Sequence, residues 1–210
     1  MVLNRYRDRA EIIILPMAKK MKGISPNALS FISFFSAVTA GLLFYLSDPF
    51  FVLTAVLFVF LSSFFDAMDG RVAKLTNQTS DKGDFLDHTL DRYADVFILG
   101  GIAFGSTCRM EIGLLAILGV LLTSYMGTQA HAVGVGRDYG GIAGRADRLV
   151  LLIIVPIVFF LLSYRSLTNF EIFGVSFTII ELMMVWFAIA GNYTALKRGV
   201  NTWNDLSKDE

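Results

Sequence analysis

Apolar residues run almost unbroken from Ala28 to Ser47. About 20 such positions in a helix cover ~30 Å of hydrocarbon, so this stretch is read as a first membrane span. Ser25 and Pro26 just ahead of it are a helix-start signal, and Asp48-Pro49 ends it. A second apolar run begins near Phe50 and continues through Phe65, and the polar stretch Leu75–Lys82 reads as a loop. A third span carries Asp87, Asp91, Arg92 and Asp95 before turning cleanly apolar from Val96 to Phe104. A fourth runs from about Ile112 to Val133. Glycine-rich Gly134–Gly144, with Arg137 and Asp138, is a loop. A fifth covers Leu149–Tyr164, a sixth runs from about Phe173 to Ala195, and a polar tail follows from Lys197.

The pattern before the first span differs. Arg5, Arg7 and Arg9, then Ile12 to Leu15, then Lys19, Lys20 and Lys22 enclose an apolar run too short to cross a bilayer. It reads as an amphipathic helix at the membrane interface, kinked at Pro16. The expected architecture is all-α and polytopic, with an interfacial helix over 1–24, six transmembrane helices over 25–198 and a cytoplasmic tail over 199–210. No signal peptide is expected ahead of the first span.

Composition agrees: hydrophobic residues make up 55% of the 210, against about 45–50% in soluble domains. Formal charge is zero, so no bulk attraction to nucleic acid is implied. Cys108, the only cysteine, is read as small apolar filler. With six spans, both termini and the 2–3 and 4–5 loops share one side. That side holds fifteen of the eighteen Lys and Arg residues; Arg109 and Arg165 lie opposite and Arg92 within the third span. The bias places the fifteen in the cytoplasm of a multi-pass cell-membrane protein.

The same side carries the chain's candidate chemistry. Asp66 and Asp69 are three residues apart, Asp87 and Asp91 four apart, and on helices each spacing puts both carboxylates on one face. Four carboxylates beside apolar helices repel one another unless a cation holds them, and divalent metal is the natural candidate. Two metal ions about 3.5–4 Å apart would stabilise in-line displacement at phosphorus, with one carboxylate acting as a base near an acceptor hydroxyl. Arg71, Lys74 and Lys82 would suit a pyrophosphate, and a lipid tail would explain the membrane-edge position. Arg145 and Arg148, three apart at a helix start, form a phosphate clamp or serve as positive-inside anchors. Asp95 is expected to pair with an arginine such as Arg92. His88 is expected to point away from the carboxylates, and His131 to be structural. Gly101-x3-Gly105 is a helix-contact face, within one chain or between two. A carboxylate-based cation transporter would need acids near the bilayer midplane and internal repeats. These acids lie at one face and no repeat is evident.

Asp66-x2-Asp69-Gly70-x2-Ala73-Lys74, then eight residues, then Gly83-x3-Asp87-x3-Asp91, resembles the signature of the CDP-alcohol phosphotransferase family. The likeness extends to Pro26-Asn27 and the six-span layout. One departure is Lys74 where the family usually has Arg: the charge is kept but the bidentate fork is lost, and Arg71 one turn earlier could share the role. The resemblance implies two divalent ions, Mg²⁺ or Mn²⁺, held by Asp66, Asp69, Asp87 and Asp91, with Asp91 also the general base. It implies that Gly70, Ala73 and Gly83 leave room for a CDP group contacted by Asp66, Asp69, Lys74 and Arg71. Asn27 reaches the nucleotide or serves the helix start. The implied reaction is attack of an alcohol on the lipid-side phosphate of a CDP-lipid, releasing CMP. Arg145-x-Asp147-Arg148 and Asp91-Arg92-x2-Asp95 look like the inositol-phosphate-using branch, archaeal members more than bacterial. A phosphorylated polyol is therefore the expected acceptor, inositol phosphate first and glycerol 3-phosphate second. A homodimer is also expected.

Overall fold

The computed structural model describes residues 7–136, 140–142 and 144–208, and of residues 7–13 the backbone alone. Arg5, Arg137 and Asp138 lie outside the described residues. Seven helices and one hairpin follow in chain order: α1 (Arg7–Lys20), α2 (Pro26–Leu46), α3 (Pro49–Leu75), α4 (Asp81–Phe104), α5 (Met110–Ala132), α6 (Arg145–Ser163), β1 (Asn169–Ile172), β2 (Val175–Thr178) and α7 (Ile179–Leu206). By length and composition α2, α3, α5, α6 and α7 could each cross a membrane. Helix α4 has the length, with 24 residues, but its first half carries the acids.

Local chemistry sets the ends. Ser25 Oγ accepts from the Ala28 amide and Pro26 opens α2, as the sequence predicts. Helix α3 runs on past Phe65 through Asp66, Asp69 and Gly70. Met68 and Val72, four apart, are buried with Ala18 of α1 and Leu29 of α2, so packing extends the helix to Leu75. It closes with Asn77 in the left-handed region and the Gln78 amide donating to the Ala73 carbonyl at 2.9 Å. Ser80 then caps α4, accepting from Gly83 N at 3.1 Å, with Asp81 and Asp84 in its first turn. The loop expected over Leu75–Lys82 thus shrinks to a short turn, because its polar residues are helix-start residues. Helices α3 and α4 both pack on α2, which brings their acids around one cavity.

Pro16 lies inside α1, and α1 docks on α3 through Ala18. Two other expectations change. The sixth helix starts at Ile179, not Phe173. Residues 169–178 form an antiparallel hairpin, with Ile172 opposite Val175 and positive φ at Phe173 and Gly174, a two-residue turn suited to strand twist. Helix α7 continues past Lys197 to Leu206.

The bundle core is shared by all six long helices, from Ala37 and Phe44 through Ile102, Val120 and Phe159 to Phe187. Helix α2 packs on α3 and α4, α5 on α7, and α6 on α3. Gly41 and Gly101 let α2 and α4 touch: a Cβ on Gly101 would land on the Gly41 backbone. The Gly101-x3-Gly105 face is therefore used within the chain. Gly101→Ala is expected to cost about 1–3 kcal/mol or more, measured as a lowered thermal midpoint in detergent; an unchanged midpoint would contradict this contact.

At the end away from the acids, buried Glu181 accepts from Arg109 N at 2.9 Å and Nε at 2.7 Å, and Thr178 Oγ1 donates to Thr107 O at 2.6 Å. These bonds tie the hairpin base to the α4–α5 turn. Cys108 is buried there, its thiol pushed up to about 12 by burial and by Glu181. It is unreactive filler, as expected.

Candidate active site

Helices α3 and α4 run antiparallel, so Asp66 and Asp69 near the end of one meet Asp87 and Asp91 near the start of the other. All four line one small cavity of about 20 Å³, together with Ser30, Ser33, Ser62 and Arg145. Asp69 and Asp91 are buried. Ser30 Oγ donates to Asp69 Oδ2 at 2.6 Å. Ser33 Oγ donates to the Ser62 carbonyl at 2.8 Å, fixing α2 against α3 beside the acids. Both serines lie on the α2 face one turn apart, a polar stripe in an apolar span that was legible in the sequence but not used.

The single cation lining this cavity is Arg145, the first residue of α6. Its guanidinium grips Asp91 with both forks, Nη1 to Oδ2 at 2.9 Å and Nη2 to Oδ1 at 2.6 Å. Nη2 also donates to Asp66 Oδ1 at 2.9 Å. Arg145 thus spans the two halves of the cluster. Arg148, one turn on, is buried and donates to Asp95 Oδ2 at 3.3 Å. Arg92 Nε lies 3.9 Å from the same carboxylate, while its Nη1 donates to Ser124 Oγ and its Nη2 to Asp91 Oδ2 at 3.4 Å. Asp95 therefore pairs with two arginines, as its neighbourhood predicts. The Arg-x-Asp-Arg element divides its labour: Asp147 Oδ2 accepts from Gly144 N at 3.3 Å and closes the start of α6.

A second cavity, of about 190 Å³, adjoins the first and shares Ser30, Asp69 and Asp87 with it. Asn27, Gly70, Ala73, Lys74 and Gly83 line it, as do Gln78, Thr79, Ser80 and Asp84, which sequence reasoning did not pick. A Cβ on Gly83 would sit 3.3 Å from Ser80 Oγ and 3.8 Å from Asn27 Oδ1, so the glycine keeps the floor open. Lys74 is the one basic side chain among the described residues that line this cavity. Arg71 is not in the lining: it sits about 100° round the helix from Gly70, whereas Lys74 is four on and shares its face.

His88 also departs from expectation. Its Nδ1 is 3.7 Å from Asp87 Oδ2 and its Nε2 is 3.6 Å from Asp84 Oδ1. Ligand atoms of Asp87, His88 and Asp91 lie within 4.8 Å of one another, because positions 88 and 91 are three apart on one helix face. His131 is exposed at the end of α5.

The donors of the small cavity are carboxylate and hydroxyl oxygens, the hard ligands that Mg²⁺ and Mn²⁺ prefer. Four carboxylates meet two guanidinium groups, Arg145 on Asp66 and Asp91 and Arg92 on Asp91, leaving negative charge that a divalent ion would offset. Asp66, Asp69, Asp87 and Asp91 could hold such an ion, and the pattern fits it.

The model of one protein family, CDP-alcohol phosphatidyltransferase, matches residues 23–193, nearly the whole bundle including both cavities. The chain belongs to the CDP-alcohol phosphatidyltransferase family. It is a transferase of substituted phosphate groups. Archaetidylinositol phosphate synthase of Pyrococcus horikoshii is 36% identical over 158 residues, covering 74% of this chain and 82% of that protein. Phosphatidylinositol phosphate synthase of Streptomyces avermitilis is 26% identical over 210 residues, covering 96% and 82%. In fold the chain is similar to crystal structures of Mycobacterium tuberculosis phosphatidylinositol phosphate synthase. One, with CDP-DAG bound, has a TM-score of 0.71 at 22% identity, covering 91% of this chain and 94% of that one. Another, in complex with manganese and citrate, has a TM-score of 0.72 at 21% identity, covering 90% and 88%.

Proposed function

We propose that this chain transfers a lipid-phosphate group from a CDP-linked lipid to inositol phosphate, releasing CMP. The observation that carries the reading is the junction of the two cavities at Asp69 and Asp87. A nucleotide in the larger one would bring its pyrophosphate to the carboxylates. The archaetidylinositol phosphate and phosphatidylinositol phosphate synthases among its relatives support the choice of acceptor.

Each residue has a part. Asn27, Gly70, Ala73 and Gly83 shape the CDP pocket, and Lys74 sets a positive charge in its lining. Arg71 contributes charge nearby. When bound, Mg²⁺ or Mn²⁺ held by Asp66, Asp69, Asp87 and Asp91 supplies positive charge to the phosphate oxygens and the CMP leaving group. Asp91 takes the proton from the acceptor hydroxyl as its oxygen attacks the lipid-side phosphorus and the bond to the CMP oxygen breaks. Arg145 and Arg148 form the positive wall for the acceptor's own phosphate. Burial on α2, α3 and α4 excludes water, which would otherwise compete with the acceptor.

The same reading fixes the membrane arrangement. Helix α4 is the third of six spans, its acidic half lodged against α2 at the cytoplasmic face. Residues 1–24 lie on that face, residues 25–198 form the catalytic domain, and 199–210 extend into the cytoplasm. Two chains pair as a homodimer.

An acceptor panel tests the choice of alcohol. CMP release with purified protein, CDP-lipid and divalent metal is expected to be fastest with inositol phosphate and absent with unphosphorylated inositol. Faster release with glycerol 3-phosphate would make that the acceptor. Equal rates with unphosphorylated inositol would rule out the arginine wall.

A further inference from the structure

We propose that Arg145 is an exchangeable counter-ion: it occupies the Asp66 and Asp91 oxygens that metal would take, and metal binding hands its guanidinium to the acceptor phosphate. The acceptor subsite is therefore completed only after metal has bound. This rests on the metal-dependent reading above.

Three observations support it. Both Asp91 oxygens and Asp66 Oδ1 are within 2.9 Å of Arg145 nitrogens. A guanidinium and a divalent cation on the same oxygens repel one another, so each weakens the other's hold. Arg145 also has somewhere to go. Its side chain is 47% exposed although it makes three charged hydrogen bonds, whereas that of Arg148 is 9% exposed and locked on Asp95. Two arginines one turn apart thus differ in kind, one fixed and one able to swing. Finally, Gly140 and Gly141, ahead of α6, are held against α7. Arg198 Nε donates to Gly140 O at 2.9 Å, and a Cβ on Gly141 would strike Thr194. The exchange is confined to the Arg145 side chain, which turns from the carboxylates to a phosphate lying beside Arg148.

The consequence is an order of binding. Metal enters first against a resident positive charge, and a phosphorylated acceptor then meets a freed arginine. Without metal the guanidinium is neutralised and offers a phosphate little.

The test uses the full chain in detergent and reads binding, not turnover. Mn²⁺ binding is measured by calorimetry for wild type, Arg145→Gln and Arg145→Lys. Inorganic phosphate binding to wild type is then measured with and without Mn²⁺. Arg145→Gln is expected to bind Mn²⁺ at least about tenfold more tightly, at the low end of what neighbours of metal ligands alter, with Arg145→Lys between. Phosphate is expected to bind wild type only when Mn²⁺ is present, and Arg145→Gln in neither condition. If wild type binds no Mn²⁺, the metal-dependent reading itself fails. If wild type binds Mn²⁺ and Arg145→Gln binds it equally or more weakly, only the exchange is overturned. Phosphate binding to wild type independent of Mn²⁺ overturns it too, and that arm needs no variant to fold.

Discussion

Asp91→Asn is expected to lower the rate of CMP formation by about 10²–10⁴-fold, the usual contribution of a positioned base, while CDP-lipid still binds within a fewfold of wild type. The substitution keeps size and one oxygen but removes the charge that would accept a proton. The fold should survive, since Asp91 closes no helix end and Arg145 retains Asp66 as a partner. Nucleotide binding should survive because Asp91 lines the small cavity and not the larger one. Turnover and binding are thus separable at this residue. A variant that stays active removes Asp91 as the base. One that loses nucleotide as well would give Asp91 a binding role in place of, or beside, proton transfer.

Asp69→Asn is expected to behave differently. Asp69 lines both cavities and is buried under Ser30. Removing its charge should weaken metal and nucleotide together, with activity falling by more than about 100-fold, since substitutions one layer further out already cost 10–100-fold. The two variants form a pair: Asp91→Asn loses the base and one metal ligand but keeps the nucleotide, whereas Asp69→Asn loses metal and nucleotide together. Direct titration of Mn²⁺ and of CDP against each separates them. Normal Mn²⁺ affinity in Asp69→Asn would take Asp69 out of the metal set.

Much of this site was legible from residue order. Carboxylates at three- and four-residue spacing on two neighbouring helices had to face one another once the connection was short. Ser25, Pro26 and Gly83 announced their backbone roles. The missed features are of two physical kinds. Helix extent differs at the polar connection, where Ser80-Asp81 starts a helix within a stretch that reads as loop. The Phe173 region reads as apolar run in the sequence, yet Phe173-Gly174 is a hairpin turn, because short apolar strands and the start of a span share one pattern. Pairings across long stretches of chain were the second kind. Arg145 lies 79 residues from Asp66 and 54 from Asp91, and no local pattern reveals that its charge is spent on those carboxylates. The sequence marks Arg145 and Arg148 as equals; three dimensions make one fixed and one exchangeable. His88 differs for a simpler reason: positions 88 and 91 lie three apart and share one helix face.

The central claim is that the carboxylates of α3 and α4 use divalent metal to move a lipid phosphate from CDP to a phosphorylated alcohol. The most direct measurement is CMP release by the purified chain from a CDP-lipid and inositol phosphate, with Mg²⁺ or Mn²⁺ and again after chelation. The account predicts CMP and a new phospholipid in equal amounts, both lost on chelation and restored by metal. No CMP with any phosphorylated alcohol, or release undiminished by chelation, would contradict it.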